Sequence, residues 1–511
     1  MRRHRRFLGT DIAVVVVVAV ATVALALLGS SSGGGSSAAA SITVDSSNSG
    51  AVIPRGFLGL SLEYTALEPY AGQDPLAPDP VFLQLIRNLS PGQRPSLRIG
   101  GDTTDSTWWP VPGLSPPGGV RYSLTNQWLG VTHAVAAALH ARLILGINLK
   151  ADSQALASSE AQALLSGVGR RYIEALELGN EPALYSLFTW YRTASGRRVK
   201  ARSLSYDFPA YVRDFTRIAA ALPNVPLAGP ALNASGWISG LGSFLAAQPR
   251  VRIATVHRYP LQLCFVPPSS LQYPTVPHLL ARSASAGLAR LLAPYVATAH
   301  ARGLPFRLDE TNSVACGADP SVSRTFAAAL WSLDALFALA HVGVDGVNFH
   351  TFPAAGYNLF SLTRTHGHWS ASVAPVYYGL LMFAQAAPLG ARLLTVSGPQ
   401  PGWFRSWATR SRAGTIRVVL INVGQDQHPV TVMVGGSPGK ATLVRLTAPG
   451  VDAASGITLA GRSLGPQTET GRPAGTFERF PLAPRSGGYV VSMPPHSAAL
   501  MTISVRRDGR S

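Results

Sequence analysis

The sequence predicts a (β/α)8 TIM barrel joined to a C-terminal antiparallel β-sandwich, and three observations carry this prediction. Between residues 54 and 387, short apolar runs alternate with longer stretches of helical periodicity, which is typical of repeated β-α units around a parallel sheet. Eight of these runs qualify as strands, the number that closes such a barrel. From residue 388 to 506, alternating apolar and polar residues punctuated by Gly and Pro indicate antiparallel strands.

Each predicted barrel strand is a short apolar run. The eight runs are residues 57–63, 96–100, 142–148, 174–179, 226–229, 253–259, 306–310 and 346–350. Among the intervening segments, residues 325–340 repeat apolar side chains at helical spacing. The predicted sandwich strands are residues 415–423, 430–434, 441–446, 488–493 and 498–505. We expect residues 41–53 to add an N-terminal strand to the sandwich.

The N-terminal residues predict export. A basic flank at residues 1–6, MRRHRR, precedes an uncharged apolar run at residues 12–28. This run is long for a signal peptide and just long enough to span a bilayer, so we favour a membrane anchor in residues 1–29 over a cleaved signal. The basic flank should stay cytoplasmic and place the rest of the chain outside. Residues 30–40 have the Ser/Gly/Ala composition of a linker, and residues 507–511 form a tail.

The charge balance is strongly basic, but it does not indicate nucleic-acid binding. Lys and Arg total 43 against 25 Asp and Glu, which gives a formal charge of +18. Many of these cations are single arginines rather than members of a clustered stripe with interleaved aromatics, which is what nucleic acid requires. Coding bias and attraction to an acidic substrate or an anionic envelope both remain open. The twelve histidines show no ligand spacing, so we expect no metal and no cofactor.

Two glutamates suggest the chemistry. Glu181 in LELGNEP and Glu310 in FRLDETN each follow an apolar run, at the ends of the fourth and seventh predicted strands. The C-terminal strand ends of a barrel converge on one mouth, where active sites lie. Glycosidic bonds are broken by two carboxylates, one protonating the leaving oxygen while the other attacks or activates water. A lone strand-end glutamate fits an ion pair or a helix cap equally well, so the pair carries the argument.

Other strand ends place polar and aromatic groups around this pair. Asp102 follows the second strand and is followed by Trp108 and Trp109. His257 lies near the end of the sixth strand, and His350 ends the eighth. Sugar hydroxyls require Asp, Asn and His partners, and the apolar face of a pyranose requires aromatic rings. Each residue alone also fits a structural role, such as core packing or a satisfied buried histidine.

Together these motifs resemble a known group of enzymes. Asn-Glu-Pro on the fourth strand and a glutamate on the seventh are similar to the clan of retaining (β/α)8 glycoside hydrolases. The motifs FLGLSLEY, LRIGGDTTD, LELGNEP, LDETNS and GYN resemble family 79, the β-glucuronidases and heparanases. In that family a barrel is joined to a β-sandwich built partly from the N-terminal segment. The resemblance covers residues 41–505.

The resemblance implies a role for individual residues. Glu181 corresponds to the general acid/base and Glu310 to the nucleophile, and Asn180 to the residue that bonds the sugar 2-hydroxyl. Tyr259 and Tyr357 are expected near the nucleophile and the substrate. Two further carboxyl groups are expected to line the subsite of the terminal sugar: Glu63 and Asp102.

One departure from the family concerns the substrate carboxylate. Members that hold a glucuronate use a tyrosine five residues after the nucleophile and a glycine amide two residues later, and here these positions are Ala315 and Gly317. A carbohydrate substrate is therefore expected, with a β-glucuronide as first guess. A neutral sugar, or an inactive carbohydrate-binding protein that keeps the fold, remains the alternative.

The two cysteines predict a disulfide. Cys264 and Cys316 each lie in the loop that leaves one of two adjacent predicted strands on the catalytic face. Adjacent loops bring two such residues within bridging range, and export favours an oxidised pair. Two buried free thiols are the alternative.

Overall fold

The computed structural model describes residues 40–504 except 234–235, 436–438 and 486, and except the side chains of residues 48 and 49. The predicted anchor and the C-terminal tail lie outside the described residues, as does the predicted linker apart from its last residue, Ala40, which begins the first strand. In the part of the chain that is described, no helix has both the length and the apolar composition to cross a membrane.

Eight parallel strands close into a barrel in which each strand pairs with the next and the last with the first. This confirms the predicted (β/α)8 barrel. The strands are β2 (Leu58–Glu63), β3 (Ser96–Gly100), β4 (Arg142–Ile147), β5 (Ile173–Leu178), β6 (Leu227–Asn233), β7 (Val251–His257), β8 (Phe306–Thr311) and β9 (Gly346–Thr351), and they follow β1 (Ala40–Val52) in the chain. Most of their residues are buried because barrel strands are covered on both faces.

Helices surround the barrel. They are α1 (Leu67–Ala71), α2 (Pro80–Leu89), α3 (Asn126–Leu139), α4 (Gln154–Leu164), α5 (Phe208–Ala221), α6 (Leu241–Ala247), α7 (Val276–Leu280), α8 (Ala286–His300), α9 (Pro320–Ser323), α10 (Phe326–His341) and α11 (Pro375–Ala386). Helix α10 is buried along its whole length except for His341. A helix that is apolar all round has to be covered on every side, and α10 packs against both α8 and α11.

A second sheet of ten strands contains β1 and the C-terminal part of the chain. Its other strands are β10 (Arg392–Ser397), β11 (Phe404–Arg410), β12 (Ile416–Asn422), β13 (His428–Val434), β14 (Ala441–Thr447), β15 (Thr458–Leu459), β16 (Phe480–Leu482), β17 (Gly488–Met493) and β18 (Ser497–Ile503). Nine of the strands follow the order β15-β14-β18-β12-β11-β10-β1-β13-β17, and β16 pairs with β14.

This sheet is not purely antiparallel, which differs from the prediction. Strand β1 pairs antiparallel with β10 but parallel with β13. Strand β17, at one end of the order, also approaches β12 and β18, so the sheet curls over its own core. The parallel pair arises because β1 comes from the far end of the chain and needs no hairpin to reach β13.

The second sheet is attached to the barrel through α10 and α11. Trp407 of β11 donates from Nε1 to Asp334 Oδ1 of α10 at 2.8 Å, and its ring stacks on Phe337 with centroids 5.9 Å apart. Helix α11 contacts β12 and β14. One face of the sheet thus belongs to the same apolar core as the barrel helices, and the other face encloses a separate core.

Candidate active site

Glu181 and Glu310 lie at the C-terminal ends of β5 and β8, at the open end of the barrel, which we call the barrel mouth. Glu181 stands three residues beyond β5 in the left-handed region, with φ of 47°, and its backbone N–H donates to Ala231 O at 3.0 Å. Such a conformation costs free energy in a non-glycine residue and is typical of functional sites. Glu310 is buried within β8, and Glu181 is half-buried.

The two carboxylates approach each other beside His257. One oxygen of Glu181, one of Glu310 and a ring nitrogen of His257 all lie within 4.8 Å of one another. His257 Nδ1 is 3.2 Å from Glu181 Oε1 and 3.9 Å from Glu310 Oε2. The structure therefore brings together the three residues that the strand ends predicted.

Glu310 is held as an anion by its neighbours. Arg98 Nη1 donates to Glu310 Oε2 at 2.6 Å, and Tyr259 Oη donates to Oε1 at 3.1 Å. Burial raises the pKa of Glu310, but the charges of His350, His257 and Arg98 outweigh burial and hold this pKa well below its usual range. A buried carboxylate that stays ionised near a sugar is suited to act as a nucleophile.

Arg98 is the centre of the polar layer beneath the pair. It is fully buried in β3, where Nε donates to Glu177 Oε2 at 2.7 Å and Nη2 donates to Asn180 Oδ1 at 2.9 Å. Nη1 also donates to Ser61 Oγ at 3.1 Å. In the sequence Arg98 is a single charge in an apolar run, whereas in the structure its guanidinium contacts the predicted nucleophile and the predicted 2-hydroxyl ligand directly.

Asp309 was missed by sequence reasoning because of an irregularity in β8. Val256 pairs with Leu308 and His257 with Glu310, so Asp309 is an extra residue without a partner in β7. In a regular strand neighbouring side chains point to opposite faces, whereas a bulge re-aims them and is common beside active sites. The irregularity allows Asp309 and Glu310 to share one buried cluster.

Asp309 is a buried carboxyl that accepts no hydrogen bond from the described residues. Its Oδ1 is 3.6 Å from His257 Nε2, and its Oδ2 is 3.4 Å from Arg98 Nε. Burial and the neighbouring Glu177 carboxylate raise the pKa of Asp309 well above its usual value. This shift favours the neutral acid, which can donate its proton to Glu177.

Further polar groups lie at the ends of β2, β3 and β9. Glu63 Oε1 accepts from His350 Nε2 at 3.2 Å and from the Asp102 backbone N–H at 3.1 Å. Asp102 Oδ1 in turn accepts from Asn180 Nδ2 at 3.1 Å. Burial lowers the pKa of His350, but Glu310 and Glu63 outweigh burial and raise it. These groups form a continuous set of hydrogen-bonding partners for sugar hydroxyls.

Asp102 titrates close to neutrality. Its side chain stays accessible to solvent, yet the surrounding protein atoms remove much of its hydration. This desolvation, together with the charges of Glu63, Glu181 and Glu310, raises the pKa of Asp102 to about 7. The charge of the barrel mouth therefore changes in the neutral pH range.

Asp105 is a second residue that the sequence did not single out as functional. Oδ2 accepts from the Asn180 backbone N–H at 3.1 Å and from Tyr185 Oη at 2.7 Å, while Oδ1 accepts from the Leu149 N–H at 3.2 Å. Asp105 thereby fixes the loop that carries Asn180 and Glu181. The only sequence signal was its position three residues after Asp102.

Tyr357 and Gly317 lie on the loops that follow β9 and β8. Tyr357 is buried, and its ring centroid is 5.8 Å from that of Tyr259 and 6.0 Å from that of His350. Gly317 is exposed with φ of 92°, and a Cβ added to it would meet nothing within 4 Å. The next residue, Ala318, packs on Tyr357, so Gly317 lies one residue from this contact.

The predicted disulfide between Cys264 and Cys316 is confirmed, with Cα atoms 5.8 Å apart. Just before it, the loops after β7 and β8 form a short parallel ribbon in which Leu261 pairs with Val314 and Gln262 with Ala315. The bridge and the ribbon together join the two loops that flank Tyr259 and Glu310.

Two triples of side chains could hold a metal ion by distance alone: Glu177, His257 and Asp309, and Glu181, His257 and Glu310. In each triple Arg98 already pairs with a carboxylate, Glu177 at 2.7 Å and Glu310 at 2.6 Å. A cation placed there would be repelled by the guanidinium. We assign no metal to either triple.

Comparisons with known proteins agree with this geometry. No protein-family model matches the chain. A curated β-glucuronidase from Neurospora crassa is 24% identical over 504 residues, covering 84% of this chain and 88% of that protein. A curated β-glucuronidase from Aspergillus niger is 24% identical over 510 residues, covering 88% and 90%. The chain resembles the β-glucuronidases. The resemblance to family 79 indicated by the motifs is thus confirmed.

Solved structures support the same fold. A 4-O-α-L-rhamnosyl-β-D-glucuronidase from Fusarium oxysporum, in complex with Rha-GlcA, matches with a TM-score of 0.69 at 20% identity, over 90% of this chain and all of that one. A family 51 arabinofuranosidase from Xanthomonas axonopodis pv. citri matches with a TM-score of 0.64 at 13% identity, over 91% of this chain and all of that one. At such identities these matches establish the fold alone.

Proposed function

We propose that the protein is an exported retaining β-glycosidase that hydrolyses β-glucuronides by double displacement. The observation that carries the proposal is the approach of Glu181 and Glu310, whose carboxylate oxygens lie within 4.8 Å of each other. Retaining enzymes place their carboxyl groups about 5–5.5 Å apart, whereas inverting enzymes leave about 6.5–9.5 Å for a water molecule. The short separation favours direct attack on the sugar.

In the first step, a carboxylate oxygen of Glu310 attacks the anomeric carbon while Glu181 donates its proton to the glycosidic oxygen. The bond between that carbon and oxygen breaks, and the leaving group departs as an alcohol. Arg98 and Tyr259 hold Glu310 by hydrogen bonds of 2.6 and 3.1 Å. These bonds orient the nucleophile and keep it ionised in the free enzyme.

In the second step, the Glu181 carboxylate takes a proton from a water molecule, and the water oxygen attacks the anomeric carbon from the side that the leaving group has vacated. The bond to Glu310 breaks, and the sugar is released with its original β configuration. His257 Nδ1, 3.2 Å from Glu181 Oε1, positions the acid/base through both steps.

A β-glucuronide is the substrate class that the curated relatives favour. The exposed Gly317 and the buried Tyr357 would border a substrate carboxylate, and the pKa of His350 is raised above its usual value, which favours a cation at the sugar site. Ala315 in place of a tyrosine is the observation that favours the second candidate, a retaining glycosidase for a neutral sugar.

Export is proposed from the basic N-terminal flank, the apolar run that follows it and the disulfide between Cys264 and Cys316. Disulfides persist in oxidising compartments. Fractionation of cells that express the full-length chain tests this part, and recovery of the protein in the reducing cytoplasm with free thiols would contradict it.

The activity is tested with the p-nitrophenyl β-glycosides of glucuronic acid, glucose and galactose. We expect the largest kcat/KM with the glucuronide, and we expect proton NMR at early times to show the β-anomer as first product. The α-anomer would show inversion and contradict the mechanism. A larger kcat/KM with a neutral glycoside would favour the second candidate, and glycan binding without any turnover would favour a binding protein.

A further inference from the structure

Two aromatic rings are exposed together at the edge of the barrel mouth. Phe188 is 49% exposed and Phe265 is 57% exposed, and their ring centroids lie 6.0 Å apart. Their neighbours Leu187 and Leu263 are exposed as well. Single exposed apolar residues need no explanation, but apolar residues contributed by two loops and clustered at one place indicate a binding surface.

Phe188 belongs to the loop that begins at the predicted acid/base. Leu184 N–H donates to Glu181 O at 2.8 Å, and Phe188 N–H donates to Leu184 O at 3.2 Å. These two turns keep the loop compact, and the buried Tyr185 anchors it by donating to Asp105 at 2.7 Å. The ring of Phe188 is therefore held close to the side of the mouth where Glu181 lies.

Phe265 belongs to the loop that follows β7. The preceding residue, Cys264, is bonded to Cys316, and Gln262 pairs with Ala315 in the short ribbon. Phe265 is thus fixed to the loop that follows Glu310. The contact between Phe188 and Phe265 joins the loop of the acid/base to the loops of the nucleophile.

The general acid protonates the oxygen of the leaving group, so the leaving group occupies the side of the mouth next to Glu181. The ends of β2, β3 and β9 carry the polar groups of Glu63, Asp102 and His350, which suit a sugar. By contrast, the exposed side chains that cluster beside Phe188 and Phe265 include the apolar Leu187 and Leu263. A sugar leaving group would need polar partners for its hydroxyls.

We propose that Phe188 and Phe265 form a binding site for an apolar, aromatic aglycone, so that the substrate is an aryl glycoside rather than an internal unit of a glycan chain. This inference rests on the proposed function. The rings offer an apolar face for stacking, and the disulfide holds Phe265 in place before the substrate binds, which reduces the entropy lost on binding.

The test compares two β-glucuronyl donors that share the sugar and differ in the leaving group. One is 4-methylumbelliferyl β-glucuronide, which carries an aromatic bicycle, and the other is β-glucuronyl fluoride, which has no aglycone. In Phe188→Ala and in Phe265→Ala, we expect the ratio of kcat/KM for the aryl substrate to that for the fluoride to fall about 3- to 10-fold. The change should lie mainly in KM.

Phe477→Ala is the matched control, because Phe477 is 50% exposed and lies in the C-terminal part of the chain. In this variant, the ratio of kcat/KM for the aryl substrate to that for the fluoride should equal the wild-type ratio. Hydrolysis of β-glucuronyl fluoride shows, for every variant, that the protein is folded. An unchanged ratio in both Phe188→Ala and Phe265→Ala would overturn the inference, as would a larger loss with a glucuronyl disaccharide than with the aryl substrate. If the wild type hydrolyses neither donor, the proposed function itself fails.

Discussion

At the scale of single residues, the site is governed by how few cations balance its buried carboxyl groups. Glu177, Asp309 and Glu310 surround Arg98, whose side chain is the one guanidinium that contacts all three among the described residues. Arg98 can balance the charge of one carboxylate. If the other two carboxyl groups were also ionised, they would repel each other strongly in this buried site of low dielectric constant. The raised pKa of Asp309 reduces this conflict, because it favours the neutral form of one of the three carboxyl groups.

This charge balance predicts different outcomes for two substitutions of Asp309. Because burial and the Glu177 carboxylate favour the neutral acid, Asp309→Asn keeps the charge and shape of that form, and we expect kcat to stay within about tenfold of the wild type. Asp309→Ala removes the hydrogen-bond donor of Glu177 and the carboxyl group beside His257, and kcat should fall by more than about a hundredfold.

Steady-state kinetics with an aryl β-glucuronide measures both changes, and the thermal unfolding midpoint separates loss of fold from loss of activity. Equal damage by the Asn and Ala variants would show that Asp309 acts as an anion.

Asp102 predicts a pH dependence of substrate affinity. With its pKa raised to about 7, Asp102 is mainly neutral below that pH and carries a negative charge above it. A negative charge in the mouth repels an anionic glucuronide, so KM should rise as the pH increases through about 7. In Asp102→Asn this rise should disappear, whatever the absolute value of KM. Identical pH profiles of KM in the variant and the wild type would contradict the prediction.

The sequence predicts Glu181 and Glu310 because both follow apolar runs that end at the mouth of a barrel. It could not predict Asp309, since the irregularity in β8 that brings it beside Glu310 has no signal in the residues themselves. Arg98 was visible as a charge inside an apolar strand, but its partners lie on three other strands. Contacts of that kind become known only when the barrel closes.

At the scale of elements, the loops after β7 and β8 act as one unit because a ribbon and a disulfide join them. Replacing Cys264 and Cys316 by serine should loosen Phe265 and Gly317. Tyr259 should keep its hydrogen bond to Glu310, because the barrel strands β7 and β8 still hold the two residues in place. We expect KM for an aryl β-glucuronide to rise several-fold and kcat to change by less than about twofold.

Kinetics of the double serine variant, with mass spectrometry to confirm the missing bridge, measures this effect. KM that stays unchanged while only kcat or only the thermal unfolding midpoint decreases would show that the disulfide does not shape the substrate site.

The barrel strands were predictable because burial on both faces gives continuous apolar runs. Strands β10 and β11 were not predicted, and a buried charge explains this for β11. Arg405 lies buried in β11, where Nη1 donates to Gly402 O at 2.7 Å and to Phe404 O at 2.9 Å. The hydrogen bonds to these carbonyl groups allow the arginine to be buried. In the sequence, however, a charged residue at this position makes the strand resemble a polar loop. Strand β6 also continues through Pro230 to Asn233, where a proline predicts an end.

At the scale of the whole molecule, the N-terminal strand ties the two ends of the chain together. Strand β1 lies inside the second sheet between β10 and β13, and Ile42 and Val44 in it are fully buried. The second sheet in turn holds α10 through Trp407. We therefore propose that residues 41–53 belong to the C-terminal domain of residues 388–506, although the barrel of residues 54–387 separates them in the chain.

Truncation tests this arrangement. A chain that lacks residues 1–39 keeps β1 and should unfold in one cooperative thermal transition. A chain that lacks residues 1–53 loses the buried Ile42 and Val44 and leaves β10 and β13 with open edges. Its free energy of unfolding should be lower by at least about 3 kcal/mol. Equal stability of the two truncated chains in urea would show that β1 contributes nothing to the sheet.

The most direct test of the central claim is to trap the covalent intermediate. A 2-deoxy-2-fluoro-β-glucuronyl fluoride has a good leaving group but should form a glycosyl-enzyme that hydrolyses slowly, so the adduct accumulates. We expect mass spectrometry of the digested protein to find one fluoroglucuronyl group on Glu310, and none in Glu310→Gln. An adduct on Glu181, or turnover of the parent glucuronide to the α-anomer without any adduct, would contradict the account.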